Sequence, residues 1–219
     1  HTDLALSNAL GGIAGQTAFL VLADVIYRDA NLEHAAASLA NLLAGVALIV
    51  LLSILLLTAT LPPVTAFGIH PTSLLLLVLY VGGVRLAASS RREPMWAPAR
   101  TPDTREDVPQ ARSRDTSVAG LLATTLVCGL VVAVAGAFIA RSGLAIAQAT
   151  GIREGLVGVL ATALVTSTPE LVTTVAAVRR GALTLAVGGI IGGNTFDVLF
   201  VAFSDAAYRD GSIYHRITS

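Results

Sequence analysis

The stretch ASLANLLAGVALIVLLSILLLTAT, residues 37–60, decides what kind of fold this chain can adopt. It carries no charge, and the charge-free region around it runs from Ala35 to Val84. A helix needs about 20 apolar residues to cross the ~30 Å hydrocarbon core of a bilayer. Runs such as Leu48-Ile49-Val50-Leu51-Leu52 lack the period-two alternation of a barrel strand, so a helix is the form that satisfies this backbone in lipid. With its flanks this span covers 35–61, and five more stretches qualify, at 8–27, 72–89, 117–140, 154–178 and 183–207. Composition agrees: 54% of the 219 residues are hydrophobic, 13% are charged and the mean hydropathy is +0.76. An ordinary soluble domain carries about 25% charged residues. The chain is therefore expected to be an all-α polytopic membrane protein, with the lipid bilayer as its first partner. Zero net charge gives no sign of a nucleic-acid partner. The single cysteine, Cys128, excludes a disulfide framework and reads as a small core residue.

Residues 90–116 are rich in Arg, Pro, Asp and Ser and divide the chain into 1–89 and 117–219, with three spans in each part. So charged a segment is expected to be a mobile linker between two halves. With six spans, Arg28, Arg85, Arg91, Arg92, Arg100, Arg105, Arg112, Arg114, Arg179 and Arg180 fall on one side of the membrane. Arg141, Arg153, Arg209 and Arg216 fall on the other. The positive-inside rule makes the first side, including the linker, cytoplasmic, and gives a multi-pass protein of the cell membrane. The chain starts at His1 within polar, helix-flanking sequence, and its only methionine is Met95, so it reads as a piece of a longer protein continuing at both ends.

Sliding the sequence on itself by 181 positions aligns residues 1–34 with 182–215 without a gap. The identities are Leu4/Leu185, Ala5/Ala186, Gly11/Gly192, Gly12/Gly193, Phe19/Phe200, Asp24/Asp205, Tyr27/Tyr208, Arg28/Arg209, Asp29/Asp210 and His34/His215. Leu and Ala coincide cheaply in such a chain; Asp, Tyr, Arg, Asp and His at fixed spacing do not. Five spans separate the two starts, so the copies cross the membrane in opposite directions. Such inverted repeats are the mark of secondary transporters, whose substrate sits near the midplane between halves. Asp24, Asp205 and their neighbours lie at helix ends, where solvated caps or ion pairs are expected. His34, His70 and His215 fall in loops or at span ends.

The fifth span contains Thr166-Ser167-Thr168-Pro169-Glu170, three hydroxyls and a carboxylate around a helix breaker. Pro169 has no N–H to offer and clashes with the carbonyl of Val165, so the helix should kink or unwind there. Glu170 follows Thr166 by four residues and Ser167 by three, which places carboxylate and hydroxyls on one face. The sixth span contains Gly192-Gly193-Asn194-Thr195-Phe196-Asp197, in which Asn194 and Asp197 share a face. A charge at the bilayer centre costs about 2.5–3.5 kcal/mol on insertion scales, so two such acids imply a cation or a proton as partner. Carboxylates, hydroxyls and an amide suit hard cations such as Ca²⁺ or Na⁺ better than zinc or copper.

These two motifs resemble the second α-repeat of the sodium/calcium exchanger (cation/calcium antiporter) superfamily. The resemblance implies a ten-helix inverted-repeat antiporter fold, of which this chain would hold about six helices, the third to the eighth. It also implies that Glu170 and Asp197 coordinate the transported cation, supported by Thr166, Ser167 and Asn194. In the first copy Gln16 stands where Asp197 stands in the second, and Ile13 where Asn194 stands. Gln16 is either a ligand amide or an interhelical hydrogen-bonding group. The span that would pair with the fifth from the first half lies outside this chain.

The expected function is secondary active antiport, exchanging Ca²⁺ for Na⁺, with a proton-coupled Ca²⁺ or Na⁺ antiporter as the nearest alternative. A cation channel would use similar oxygens but has less need of an inverted repeat. An intramembrane hydrolase would need Ser167 as nucleophile with a histidine base, and no histidine lies inside a span. No enzymatic activity and no cofactor beyond the transported cation is expected. Ion choice, exchange ratio and oligomeric state are open at this level.

Overall fold

A computed structural model of the chain describes residues 2–92, 96–107, 117–208 and 211–216. Among these residues six segments are long and apolar enough to cross a membrane. Five are single helices: α1 (Thr2–Ile26), α3 (Leu39–Thr58), α4 (Pro71–Ser90), α5 (Val118–Thr150) and α9 (Leu183–Ala207). The fifth crossing is assembled from α6 (Glu154–Val157), a widened π turn at Gly158–Thr162, α7 (Ala163–Thr166) and α8 (Thr168–Arg179). A short helix, α2 (Leu32–Ala35), precedes α3, and a 3₁₀ turn at Ile213–Arg216 follows α9.

Two of these boundaries differ from the sequence expectation. The stretch 35–61 does not form one helix, because Ser38 is extended (φ −150°, ψ 132°) and separates α2 from α3. The span expected to end at 140 continues to Thr150, since nothing breaks the helix before Gly151, which closes it with φ 71°. At about 1.5 Å per residue α5 is roughly 50 Å long, more than a bilayer core needs, so it must tilt or project.

Two apolar clusters show how the halves are arranged. One joins Leu6, Ala9 and Ile13 from the start of α1 to Val198, Val201 and Ala202 from the end of α9, with Leu51, Leu55 and Leu76 of α3 and α4. The other joins Ala23, near the end of α1, to Leu183 and Ala186, at the start of α9, with Val178 and α2. Start meets end in both, so α1 and α9 are antiparallel, as an inverted repeat requires. Gly11 lets α1 approach the π turn closely: a Cβ there would lie 2.8 Å from the Val159 Cα and 3.1 Å from its carbonyl oxygen. Many apolar side chains on α3, α4 and α5 face outward, which suits a lipid surround. Cys128 is among the exposed residues, not in a core, because α5 buries only Gly143 and Ala147.

The duplication persists in hydrogen bonding. Asp24 Oδ1 accepts from Leu32 N at 2.7 Å, and Asp205 Oδ1 accepts from Ile213 N at 3.2 Å. Leu32 and Ile213 are equivalent in the repeat, and each begins a short helical turn. Asp205 is not a solvated cap, however, for it is 0% exposed. It also accepts from His70 N (2.8 Å) and Ser73 Oγ (2.7 Å), because the turn after α9 folds beneath the loop that leads into α4. Tyr214 adds a 2.7 Å hydrogen bond to Ser73 Oγ and an edge-on contact with His70. Burial raises the Tyr214 pKa and lowers that of His70, the latter opposed by the Asp205 charge. Arg209 and Asp210, the mates of Arg28 and Asp29, lie outside the described residues.

Part of the linker is docked where mobility was expected. Ala182 gives α9 no side-chain cap, and the Asp107 carboxylate supplies one by accepting from Thr184 N (3.1 Å) and Leu185 N (2.7 Å). Arg105 N donates to the Ala35 carbonyl at 3.1 Å, and Thr101 Oγ1 pairs with His34 Nε2 at 2.7 Å. Residues 93–95 and 108–116 of the expected linker lie outside the described residues. Arg28, Arg105 and Arg179 line one cavity, so three of the ten arginines placed on one side by sequence share one end of the bundle.

Candidate cation site

The candidate site lies where α1, α7–α8 and α9 cross. The fifth crossing is interrupted at Ser167 (φ −89°, ψ −1°), two residues before Pro169, as the missing proline N–H predicts. The break buries the Ser167 side chain against α1, whereas Thr166 turns its hydroxyl back onto its own helix, donating to the carbonyls of Thr162 (2.9 Å) and Ala163 (3.2 Å). The π turn just before is held by Thr162 Oγ1, which donates to Asn8 Oδ1 at 2.8 Å. Nothing in the sequence announced that pairing.

Gln16 and Asp197, equivalent positions of the two repeats, touch each other. Gln16 Nε2 donates to Asp197 Oδ2 at 2.9 Å and makes a long contact, 3.5 Å, with Ser167 Oγ. Two equivalent positions in direct contact mean that the local two-fold axis of the repeat passes between them. The repeated glycines obey the same symmetry: a Cβ on Gly12 would lie 3.8 Å from Asp197 Oδ2, and one on Gly193 would lie 3.2 Å from Gln16 Oε1. Each repeat's glycine thus opens space for the other repeat's polar side chain. Glu170 lies within electrostatic reach of Asp197.

Hydrogen-bond bookkeeping determines which atoms are left over. Thr17 Oγ1 donates to the Ile13 carbonyl at 2.7 Å, so toward Asn194 it can only accept. Asn194 must therefore present its Nδ2, at 3.1 Å, and its Oδ1 is left without a partner. Gln16 likewise commits its Nε2 to a carboxylate, leaving Oε1 without one. Glu170 Oε2 is the third buried acceptor oxygen with no donor. Gln16 is 4% and Asn194 1% exposed, so water does not readily satisfy these oxygens. A buried unsatisfied polar group costs about 1–3 kcal/mol, more when charged. Every one of these atoms is an acceptor, which matches a positive ion or a hydrogen-bond donor and not an anion. Among the described residues no three His, Cys, Asp or Glu side chains gather, so a bound cation would draw on amides and hydroxyls besides carboxylates.

Of the residues singled out by sequence, Gln16, Ser167 and Asp197 are brought into contact, and Asn194 and Glu170 contribute free oxygens nearby in the chain. Thr166 is directed elsewhere. Sequence reasoning passed over Thr17 and Asn8, whose repeat mates are the apolar Val198 and Gly189 and gave no signal.

Comparison with known proteins bears on the same region. Residues 120–210 match the family model described as "Sodium/calcium exchanger protein". The chain is 36% identical over 84 residues to the inner membrane protein YrbG of Escherichia coli (strain K12), an alignment covering 38% of this chain and 26% of that protein. This chain thus corresponds to well under two thirds of the relative's length. No solved structure matches the chain. The matched region contains the broken crossing, both acids and most of the second copy of the repeat, and it is in this region that the chain, a multi-pass membrane protein, is similar to the sodium/calcium exchanger family.

Proposed function

We propose that the complete protein is a secondary active antiporter that exchanges Ca²⁺ for Na⁺ by alternating access, with the linker on the cytoplasmic side. Glu170, Asp197, Ser167, Asn194 and Gln16 hold the ion, and Thr166 serves from behind by shaping the break. The observation that carries this reading is the trio of buried, partnerless acceptor oxygens on Gln16, Glu170 and Asn194. They belong to α1, α8 and α9, the helices that cross where the two repeat copies meet, and transporters built from inverted repeats bind substrate at such a junction. Ca²⁺ takes 6–8 oxygen ligands, and the described side chains supply part of such a shell. The neutral Gln16 on the axis leaves the visible site with two acids, enough to balance one divalent ion.

Radiolabelled Ca²⁺ uptake into liposomes carrying the complete protein, driven by a Na⁺ or a pH gradient, tests the proposal, with Glu170→Gln alongside. Uptake that follows Na⁺ and disappears in the variant is the expected result. Uptake that follows only the pH gradient would make the protein a proton-coupled antiporter. Conductance without a counter-ion would make it a channel, and no Ca²⁺ flux with an unaltered variant would remove both the ion and Glu170 from the mechanism.

A further inference from the structure

We propose a second binding site, for one acyl chain and the phosphate headgroup of an anionic phospholipid, along α8 and at its C-terminal end. Leu171, Val172, Val175, Ala176, Arg179 and Arg180 line a single open groove of about 440 Å³. Their spacing, i, i+1, i+4, i+5, i+8, i+9, is one helical stripe. Its apolar part and its arginines span roughly 14 Å along the axis at about 1.5 Å per residue, close to one leaflet of a ~30 Å core. The stripe changes from apolar to doubly cationic where a lipid changes from acyl chain to phosphate.

Beside the arginine end lies a second cavity, of about 310 Å³, to which Tyr27, Arg28, Asp29, Arg105 and Arg179 contribute. Arg179 lines both cavities, so groove and pocket adjoin at this side chain. Three arginines line it against one carboxylate, Asp29, which Arg105 already approaches at 3.7 Å, and Arg180 follows Arg179 on the groove. Tyr27, on the wall, keeps a buried hydroxyl with no hydrogen-bond partner. Guanidinium groups hold phosphate oxygens in bidentate fashion, and basic pockets between transmembrane helices recognise anionic headgroups. An apolar helix laid on the stripe would cover Arg179 and Arg180 without supplying negative charge. A free phosphate would leave the apolar two thirds of the groove unfilled. A phospholipid satisfies both parts. The groove begins at the residue after Glu170, so its occupant lies along the helix that carries that acid.

Native mass spectrometry of the complete protein in detergent, with phosphatidylglycerol or phosphatidylcholine added, tests this site without reference to transport. One phosphatidylglycerol is expected to remain bound at least fivefold more than phosphatidylcholine, and Arg179→Gln/Arg180→Gln should abolish the preference. Should that variant fail to fold, Ala176→Trp, which fills the groove and keeps both arginines, must lose the lipid equally. Equal retention of the two lipids, or a preference that survives in a folded variant, overturns the proposal. So does displacement of the lipid by millimolar inorganic phosphate, or a disulfide cross-link from Val172→Cys to a cysteine placed in another helix of the protein.

Discussion

Thr17→Val isolates the geometry of the cation site from its charges. The hydroxyl of Thr17 is committed to the Ile13 carbonyl at 2.7 Å and accepts from Asn194 Nδ2 at 3.1 Å. Valine keeps the volume and the branched shape but offers no acceptor, so nothing then holds the Asn194 amide with its oxygen free. The amide can turn its NH₂ toward the ion, which converts a ligand into a repelling dipole for part of the time. One neutral hydrogen bond contributes about 0.5–1.5 kcal/mol net, and about 1.4 kcal/mol is tenfold in an equilibrium. The expected outcome is a rise of roughly two- to tenfold in the KM for Ca²⁺ in reconstituted liposomes, by that arithmetic. Thr17→Ser keeps the acceptor and should restore the parent value. A Thr17→Val protein that transports with unchanged KM would refute the argument that this hydroxyl orients Asn194.

The remaining predictions concern the scaffold. His70 caps α4 by accepting from Thr72 N at its Nδ1 (3.2 Å), and its pKa lies below the ordinary value because it is buried. An unfolded chain therefore binds the proton more readily, and stability is full above the usual histidine pKa of about 6.5 and falls as pH drops below it. His70→Asn, which retains a capping oxygen, should flatten this acid limb in thermal melts, and an unchanged slope would exonerate His70. Asp107→Ala removes the cap from Thr184 N and Leu185 N. Loss of such a cap costs about 0.5–2 kcal/mol, so hydrogen exchange at these two amides should accelerate severalfold while that of α3 stays constant. Gly11→Ala forces a Cβ to within 2.8 Å of the Val159 backbone; overpacking of this kind costs about 1–3 kcal/mol. The melting temperature in detergent should fall, and a variant as stable as the parent would show that the π turn yields freely.

By itself, the sequence determined the class of fold and half of the site. Apolar length is a direct record of bilayer thickness, so all six crossings could be read, including the break that Pro169 imposes. The Asp24/Asp205 and Tyr27/Tyr208 coincidences disclosed the inverted repeat, and the acids Glu170 and Asp197 stood out because charge within a membrane span is costly. What the tertiary structure alone decided is which faces meet. In a soluble helix the buried face is marked by apolar periodicity, but lipid is as apolar as a protein core and erases that mark. Hence the contact of Gln16 with Asp197, the Asn8–Thr162 pair behind the π turn and the orienting role of Thr17 had no signal in the local pattern. The docking of Asp107 onto α9 was hidden for a different reason: a charged linker reads as solvated until an uncapped helix end, here one beginning after Ala182, is placed within its reach.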